Sequence, residues 1–334
     1  MASKEAEMRN IEIIGTGSYT PKHMVTNEML ETIMDTSNEW IVSRTGIESR
    51  HISTGEETSD LATKAALEAL KDSNLQAEEI DLVIVATCSP DSLVPSVACK
   101  VQKNIGAHNA MAFDINAACS GFVFGLDIAR GFMASGRFKT ALIIGAEVLS
   151  KIINWEDRST SILFGDGAGA AVLKESTVDG LSYINCKSEG EKWEALTCGS
   201  VALENPFIMD AIPVNSKVTM EGKEIYKFAV KVMESEFNRI LNDANLKKED
   251  IDFIVPHQAN IRMIEAFSKK IGVSLEKFII NLNRFGNTSG ASIPIALDEG
   301  NKSGAFKKGN KIVVIGFGGG LTFGSALITW NKGF

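Results

Sequence analysis

Leu70-Lys-Asp-Ser-Asn-Leu-Gln-Ala-Glu-Glu-Ile-Asp-Leu-Val-Ile84 and Leu241-Asn-Asp-Ala-Asn-Leu-Lys-Lys-Glu-Asp-Ile-Asp-Phe-Ile-Val255 are the two stretches of this sequence that decide the fold. Leu, Asp, Asn, Leu, Glu, Ile and Asp recur in them at a constant offset of 171 residues, about half of the 334-residue chain. Each stretch has the pattern of a helix end, a turn and a buried strand. The repetition predicts a duplicated α/β domain.

The ends of the two halves also resemble each other. Phe138-Lys-Thr-Ala-Leu-Ile-Ile-Gly145 corresponds to Phe306-Lys-Lys-Gly-Asn-Lys-Ile-Val-Val-Ile-Gly316, and Gly169-Ala-Ala-Val-Leu173 corresponds to Gly324-Ser-Ala-Leu-Ile328. Apolar strands alternate with longer helical patterns, for example the strand at 80–87 after the helix at 59–71, which predicts largely parallel sheets. The runs at 141–145 and 312–316 are apolar throughout, so helices should cover both sheet faces. We expect halves 1–180 and 181–334 to pack into one layered α/β sandwich.

Composition excludes several classes of function. The chain has 34 basic and 42 acidic residues, a net charge of −8, and therefore no general basic field for nucleic acid or anionic membranes. Its five cysteines are scattered without a CxxC motif, which favours a reducing compartment and no metal site. Residues 1–10 are charged, and no apolar run reaches the roughly 18 residues that span a membrane. We expect a cytoplasmic protein.

Cys119 is the first candidate catalytic residue. It lies between the predicted strand that starts at Met111 and the apolar helix 122–130, in the turn Ala-Ala-Cys-Ser-Gly121. Free backbone N–H groups and the helix dipole at such a position are expected to lower the thiol pKa from about 8.5 toward or below 7. The alternative is that Cys119 is a small buried apolar residue.

Two segments of the second half supply further candidates. His257 stands in Pro-His-Gln-Ala-Asn260 at the exit of an apolar strand, where the loops of α/β sheets gather around ligands. Asn287 stands in Gly-Asn-Thr-Ser-Gly290. Taken singly, His257 is more typical of a structural histidine, and Asn287 of an ordinary turn residue.

Together, Ala-Ala-Cys119-Ser-Gly, Pro-His257-Gln-Ala-Asn, Gly-Asn287-Thr-Ser and Gly-Phe-Gly-Gly-Gly320 resemble the condensing enzymes of the thiolase superfamily, and most closely β-ketoacyl-acyl-carrier-protein synthase III. The resemblance extends over nearly the whole chain. It implies a duplicated, thiolase-like five-layer αβαβα sandwich, a homodimer, and a catalytic triad of Cys119 from the first half with His257 and Asn287 from the second. It also implies an oxyanion hole formed by the backbone N–H groups of Cys119 and Gly319.

The implied reaction is a decarboxylative Claisen condensation that starts fatty acid chains. The Cys119 thiolate takes an acyl group from a primer acyl-CoA. Malonyl carried on acyl carrier protein then loses CO₂, and His257 and Asn287 stabilise the resulting enolate as hydrogen-bond donors. A neutral amide suits this role, because a carboxylate would repel the developing negative oxygen. The product is 3-oxoacyl-acyl carrier protein.

The resemblance also implies binding residues for both substrates. Trp40 and Arg158 match the pair that holds the adenine of CoA, with Thr36 and Arg44 nearby and Asn260 along the pantetheine arm. An aromatic ring and a guanidinium suit a purine. Carrier-protein docking is implied for four basic residues, Lys227, Arg262, Lys269 and Lys270. Lys227 also belongs to a row with Lys223 and Lys231 on a predicted helix, opposite an apolar face.

Three residues, Val94, Met220 and Phe317, match the acyl pocket of the family. Many members have phenylalanine where this chain has Val94, a residue that reaches the partner subunit's pocket. Since valine is smaller, we expect a wider pocket than an acetyl-selective enzyme has. Phe285 is a second departure, because histidine or tyrosine is expected there.

Other chemistries lack their signatures. Gly15-Thr-Gly17 resembles a dinucleotide loop, but Thr20 stands where the third glycine belongs. No Walker A, HExxH or GxSxG motif occurs, so no redox cofactor or metal is implied. Three alternatives remain open: a synthase III relative of secondary metabolism with another acceptor, a thioester hydrolase, and a non-catalytic scaffold subunit. Retention of Cys119 together with His257 and Asn287 argues against a scaffold subunit. The Asn287 amide, aimed at an enolate, argues against a hydrolase.

Overall fold

The computed structural model describes residues 9–207, 209, 210 and 212–333, so the charged start at residues 1–8 lies outside the described part. The strands are β1 (Asn10–Tyr19), β2 (Met24–Thr26), β3 (Ser49–His51), β4 (Leu82–Ala86), β5 (Met111–Ile115), β6 (Thr140–Glu147), β7 (Gly167–Ser176), β8 (Leu181–Ser188), β9 (Leu196–Thr197), β10 (Thr219–Met220), β11 (Phe253–Pro256), β12 (Lys311–Gly318) and β13 (Thr322–Thr329). The helices are α1 (Asn27–Glu31), α2 (Asn38–Thr45), α3 (Thr58–Ser73), α4 (Val97–Ile105), α5 (Gly121–Ala134), α6 (Arg158–Ser161), α7 (Gly222–Asp243), α8 (Ile261–Ile271), α9 (Leu282–Phe285) and α10 (Ser292–Lys302).

Two main sheets and three helical layers form a five-layer sandwich. The first sheet has the order β1-β7-β6-β4-β5, and the second has the order β11-β12-β13-β8. Helices α5 and α10 lie between the sheets, because each contacts strands of both. Helices α3 and α4 cover the outer face of the first sheet, and α7 with α8 covers the outer face of the second. The predicted thiolase-like αβαβα fold is confirmed.

The prediction of largely parallel sheets is wrong, because both sheets are mixed. Strand β4 pairs in parallel with β5 and β6, and β11 pairs in parallel with β12, but β7 and β13 are antiparallel to all their neighbours. For β12 and β13, the short connection between the strands explains why they pair antiparallel. Only Gly319–Leu321 separates them, and a parallel crossover needs a dozen or more residues.

Burial of the central strands follows from their uninterrupted apolar sequence. All eight residues of β6 are buried, and they contribute alternately to two cores. Leu142 and Ile144 pack with α3 and α4, whereas Ala141 and Ile143 pack with α5 and α10. The expectation that helices cover both faces of these strands is therefore confirmed.

The helical predictions agree with the structure within a few residues at their ends. The helix predicted at 59–71 is Thr58–Ser73, and the one at 122–130 is Gly121–Ala134. The strand predicted at 80–87 is shorter, because Ala77–Glu79 forms a 3-10 turn before β4. Within the described ranges, no helix combines the length and apolar character that crossing a membrane requires.

Candidate active site

A cavity of about 750 Å³ brings the three candidate catalytic residues together. Cys119, His257 and Asn287 all line it, although they come from three separate loops of the chain. Cys119 follows strand β5, His257 follows strand β11, and Asn287 follows the short helix α9. The convergence of the triad at one cavity was predicted only through the family resemblance.

Cys119 lies in the 3-10 turn Ala118–Ser120, directly before α5. Only 7% of the residue is exposed. Strand β12 of the second half approaches this turn closely: a Cβ added at Gly318 would lie 2.6 Å from the backbone nitrogen of Cys119. Only glycine allows that approach. The close fit of Gly318 is a functional feature that the sequence reasoning missed, although the run Phe317-Gly-Gly-Gly320 was its signal.

The prediction of a lowered Cys119 pKa is contradicted by the structure. Burial raises the pKa of this thiol to about 12, and the charge of the buried Glu147 acts in the same direction. A hydrogen bond with the Ser289 side chain and the backbone N–H of the turn lower the pKa, but by less. Removal of the thiol from water therefore raises its pKa more than the helix start and the hydrogen bonds lower it. Cys119 is a thiol at neutral pH.

His257 is held as a neutral imidazole. It is 2% exposed, and burial lowers its pKa to about 3. Its backbone N–H donates to the carbonyl of Ile315 at 2.8 Å, and its Nδ1 lies 2.7 Å from the hydroxyl of Ser292. The ring of Phe317 packs against it edge-on, with ring centroids 5.0 Å apart. These contacts fix the ring plane and leave the Nε2 side for the cavity.

Asn287 is oriented by its own turn. Its Oδ1 accepts a hydrogen bond of 2.8 Å from the backbone N–H of Ser289, and its backbone N–H donates to the carbonyl of Leu163 at 2.8 Å. Because the carbonyl oxygen of the side chain is engaged, the Nδ2 amino group is the part left to donate into the cavity. The site thus holds one thiol and two neutral donors.

The proposed CoA residues lie mostly along the same cavity. Trp40, Arg44, Arg158 and Asn260 line it, whereas Thr36 does not. The guanidinium carbons of Arg44 and Arg158 lie 4.7 and 5.0 Å from the centroid of the Trp40 ring. An intercalated base needs two contacts of about 3.5 Å, so Arg158 must move away by about 2 Å to admit one. Asn260 caps α8 and donates to the carbonyl of Arg44 at 3.1 Å.

The candidate docking residues divide into two groups. Lys227 and Arg262 line the cavity, and Lys269 and Lys270 are exposed at the end of α8, outside it. Arg262 donates to the carbonyl of Ser43 at 2.7 Å through Nη2, and Lys270 forms an ion pair of 2.6 Å with Glu234. The row of Lys223, Lys227 and Lys231 is exposed along α7, as its helical spacing predicted.

Cys119 also lines a second cavity, of about 490 Å³. Gly319 lines it together with Cys119, and its apolar walls include Leu149, Ile152, Phe164, Leu196 and Val218. The sequence reasoning missed these apolar residues, because they come from four different segments without a common motif. Of the residues predicted for an acyl pocket, Met220 and Phe317 line the first cavity, whereas Val94 is 84% exposed on the surface of this chain.

Comparisons with known proteins agree with this geometry. Two family models match the chain: 3-oxoacyl-[acyl-carrier-protein (ACP)] synthase III over residues 113–190, and its C-terminal counterpart over residues 241–330. The β-ketoacyl-[acyl-carrier-protein] synthase III of Clostridium acetobutylicum is 56% identical over 325 residues, 97% of this chain and 100% of the relative.

Solved structures show the same similarity. The 3-oxoacyl-[acyl-carrier-protein] synthase III of Aquifex aeolicus superposes with a TM-score of 0.90 at 45% identity, over 96% of this chain and 100% of that one. The priming β-ketosynthase of the R1128 polyketide pathway superposes with a TM-score of 0.89 at 34% identity, over 98% of each chain. The chain therefore belongs to the β-ketoacyl-[acyl-carrier-protein] synthase III family, the condensing acyltransferases of fatty acid biosynthesis.

Proposed function

We propose that Cys119, His257 and Asn287 carry out the decarboxylative condensation of a primer acyl-CoA with malonyl-acyl carrier protein. The observation that carries this proposal is the convergence of one thiol and two neutral hydrogen-bond donors on a single cavity. The same cavity extends to Trp40 and Arg158, so one thioester substrate can place its carbonyl at Cys119 and its far end at these residues.

Acyl transfer requires the Cys119 sulfur to attack the thioester carbon of acyl-CoA. The proton that Cys119 gives up is taken by the departing CoA thiolate, so the exchange of one thioester for another is proton-neutral overall. The tetrahedral intermediate carries its negative charge on oxygen. The backbone N–H groups of Cys119 and Gly319 stabilise this oxygen as an oxyanion hole.

Condensation begins when malonyl-acyl carrier protein enters and its carboxylate leaves as CO₂. The electron pair of the broken C–C bond moves into an enolate, whose oxygen accepts hydrogen bonds from Asn287 Nδ2 and His257 Nε2. Ser292 supports the required tautomer: its oxygen accepts from the N–H of Gln258 at 3.4 Å, and its hydroxyl donates to Nδ1 of His257. The enolate carbon then attacks the acyl-Cys119 carbonyl and releases the Cys119 sulfur as a thiolate, which takes up one proton from water to restore the thiol.

The primer chain and the carrier protein need separate places. The apolar 490 Å³ cavity beside Cys119 suits the acyl chain, because it offers hydrocarbon contacts to each methylene. Met220 and Phe317 complete the apolar wall on the substrate side. Basic side chains at the cavity mouth and on α8, namely Lys227, Arg262, Lys269 and Lys270, suit an acidic carrier protein and the phosphate of its prosthetic arm.

A homodimer is part of this proposal. Strand β5 stands at the edge of the first sheet, and its residues are only half-buried in the single chain. Leu93 and Val94 are 72% and 84% exposed, which is unusual for side chains of this apolarity. Pairing of two β5 edges would cover these side chains and bring Val94 toward the acyl cavity of the other subunit. The molar mass in solution, measured by light scattering, tests this: a monomer would contradict it.

The reaction is tested by measuring ¹⁴CO₂ release from labelled malonyl-acyl carrier protein together with the mass of the product. Cys119→Ala should abolish acyl-enzyme and condensed product. Asn287→Ala should leave acylation of Cys119 measurable but suppress CO₂ release. The matched variant Cys99→Ala removes an exposed thiol that lines neither cavity, so acylation and CO₂ release should stay unchanged. Free acid as the main product would instead indicate a thioester hydrolase. Absence of CO₂ release, condensed product and free acid would indicate a scaffold.

One second candidate function has an observation in its favour. The likeness to the R1128 priming β-ketosynthase supports the same condensation with a carrier protein of secondary metabolism as the acceptor. Parallel assays with a fatty acid carrier protein and a polyketide carrier protein separate the two candidates. Faster turnover with the polyketide carrier by tenfold or more, about 1.4 kcal/mol in the barrier, would favour the second.

A further inference from the structure

Arg50 is a buried positive charge without a carboxylate among its hydrogen-bond partners. It is 0% exposed in the middle of β3, and burial lowers its pKa to about 10. Its acceptors are two carbonyl oxygens and one side-chain amide oxygen, and its Nε has no partner. Removing a guanidinium from water without a carboxylate partner costs folding free energy.

One hydrogen-bond chain runs from Arg50 to α2. Nη1 of Arg50 donates to Oδ1 of the fully buried Asn27 at 2.8 Å. Nδ2 of Asn27 donates in turn to Oδ1 of Asn38 at 2.9 Å and to the carbonyl of Ile47 at 2.8 Å. Asn38 is the first residue of α2, and Ile47 follows the end of that helix. The chain therefore fixes both ends of the helix that carries Trp40.

A second contact runs from Arg50 to α6. Nη2 donates to the carbonyl of Ile162 at 2.8 Å. Ile162 is the residue that ends α6, and Arg158 is the first residue of this one-turn helix. Because α6 has only four residues, a fixed Ile162 leaves the backbone of Arg158 little freedom. The helix of Trp40 and the helix of Arg158 are thus tied to the two nitrogens of one planar group.

We propose that Arg50 is a positioning residue for the nucleotide end of acyl-CoA, because it sets the separation between α2 with Trp40 and α6 with Arg158. The proposal rests on the proposed CoA-binding role of these two residues. Trp40 and Arg158 lie 5.0 Å apart, ring centroid to guanidinium carbon, and the pair must open by about 2 Å for a base. Because the backbones of α2 and α6 are fixed, the Arg158 side chain can move aside for a base while the Trp40 ring keeps its position.

The test compares a substrate with the nucleotide and one without it. S-acetyl-CoA and S-acetyl-pantetheine present the same thioester and pantetheine arm to Cys119, and only the first reaches Trp40 and Arg158. Arg50→Lys keeps the charge but loses the planar fork, and Asn38→Ala removes one link of the chain and leaves Arg50 intact. For both variants we expect kcat/KM with acetyl-CoA to fall about tenfold, mainly through KM, while kcat/KM with acetyl-pantetheine stays unchanged.

Each outcome bears on the proposal. An equal loss with both substrates, or no loss with either, would leave the ratio of the two kcat/KM values unchanged and would overturn the positioning role. If Arg50→Lys does not fold, the ratio measured for Asn38→Ala decides. Trp40→Ala serves as the reference: if it leaves the ratio at its original value, the CoA-binding role of Trp40 fails independently of Arg50.

Discussion

Replacement of Gly318 by alanine tests whether the second half of the molecule holds the nucleophile in place. The added Cβ would lie 2.6 Å from the backbone nitrogen of Cys119 and 3.0 Å from its Cβ. Ordinary contacts between such atoms are about 3.5 Å, so the strand and the turn must separate by about 1 Å. A displacement of that size can lower a rate about 10²-fold, and loss of one oxyanion-hole donor lowers it about 10²- to 10³-fold.

Acylation of Cys119 should therefore slow by about 10²- to 10³-fold in the Gly318→Ala variant. The measurement is a single-turnover time course of acyl-enzyme formation by intact-protein mass spectrometry. Overpacking of this kind costs about 1–3 kcal/mol of unfolding free energy, less than the total of most domains, so the variant should still fold. A melting curve checks this before the kinetics are interpreted.

Gly319→Ala is the matched control one residue away. A Cβ there would meet the carbonyl oxygen of Leu196 at 3.3 Å and its side chain at 3.4 Å, so a shift of a few tenths of an ångström suffices. The variant also keeps the backbone N–H that is proposed as the second oxyanion donor. We expect acylation within about tenfold of the unchanged protein. Normal acylation in Gly318→Ala, or a larger loss in Gly319→Ala, would refute the reasoning.

Four further predictions concern the thiol, the imidazole, the amide and the acyl pocket. Because the raised pKa of Cys119, about 12, keeps the thiol protonated, its alkylation by iodoacetamide should accelerate about tenfold per pH unit from pH 7 to 10; a plateau near pH 7 would contradict this. With the lowered pKa of His257 at about 3, the pH–rate profile should show no histidine limb near pH 6.5. Asn287→Asp keeps an acceptor for the Ser289 N–H but puts a carboxylate oxygen in place of Nδ2, so ¹⁴CO₂ release should fall at least as far as in Asn287→Ala. Val94→Phe should lower kcat/KM for isobutyryl-CoA relative to acetyl-CoA about fourfold for each lost methylene contact of about 0.8 kcal/mol; an unchanged ratio in a primer panel would remove Val94 from the pocket.

Local sequence patterns predicted which segments form helices and strands. They did not predict whether neighbouring strands run parallel or antiparallel. The recurrence of Leu70–Ile84 in Leu241–Val255 predicted the duplication, and apolar runs such as 141–145 predicted strands covered on both faces. Neither pattern contains the direction of a neighbouring strand. The antiparallel hairpin of β12 and β13 depends on the three-residue turn after Gly318, and the glycines of this turn do not by themselves indicate a hairpin.

Sequence patterns also predicted only part of the candidate site. The helix start after Cys119 is local and was predicted, but the burial that raises the Cys119 pKa comes from β12 and from the turn Ser289–Ala291, far away in sequence. Arg50 gives no sequence signal at all, because a three-residue strand does not indicate whether its central side chain faces water. Such properties arise from tertiary packing, which single-sequence patterns do not contain.

Duplication itself explains why nucleophile and donors meet. The turns Ala118–Ser120 and Ser289–Ala291 are 171 residues apart, the same offset as the repeated stretches, and each leads directly into a central helix, α5 or α10. Ala118 and Ser289 share a rare positive φ, 44° and 49°. The two turns contact each other.

Side chains alone therefore distinguish the two equivalent turns. The first turn supplies the sulfur of Cys119. The second supplies Ser289, whose side chain hydrogen-bonds to Cys119 and whose N–H orients Asn287. Because the two turns contact each other, a group on one lies close to a group on the other. A reaction that needs a nucleophile opposite neutral donors can arise on such a frame by substitutions in one copy, without a change of backbone.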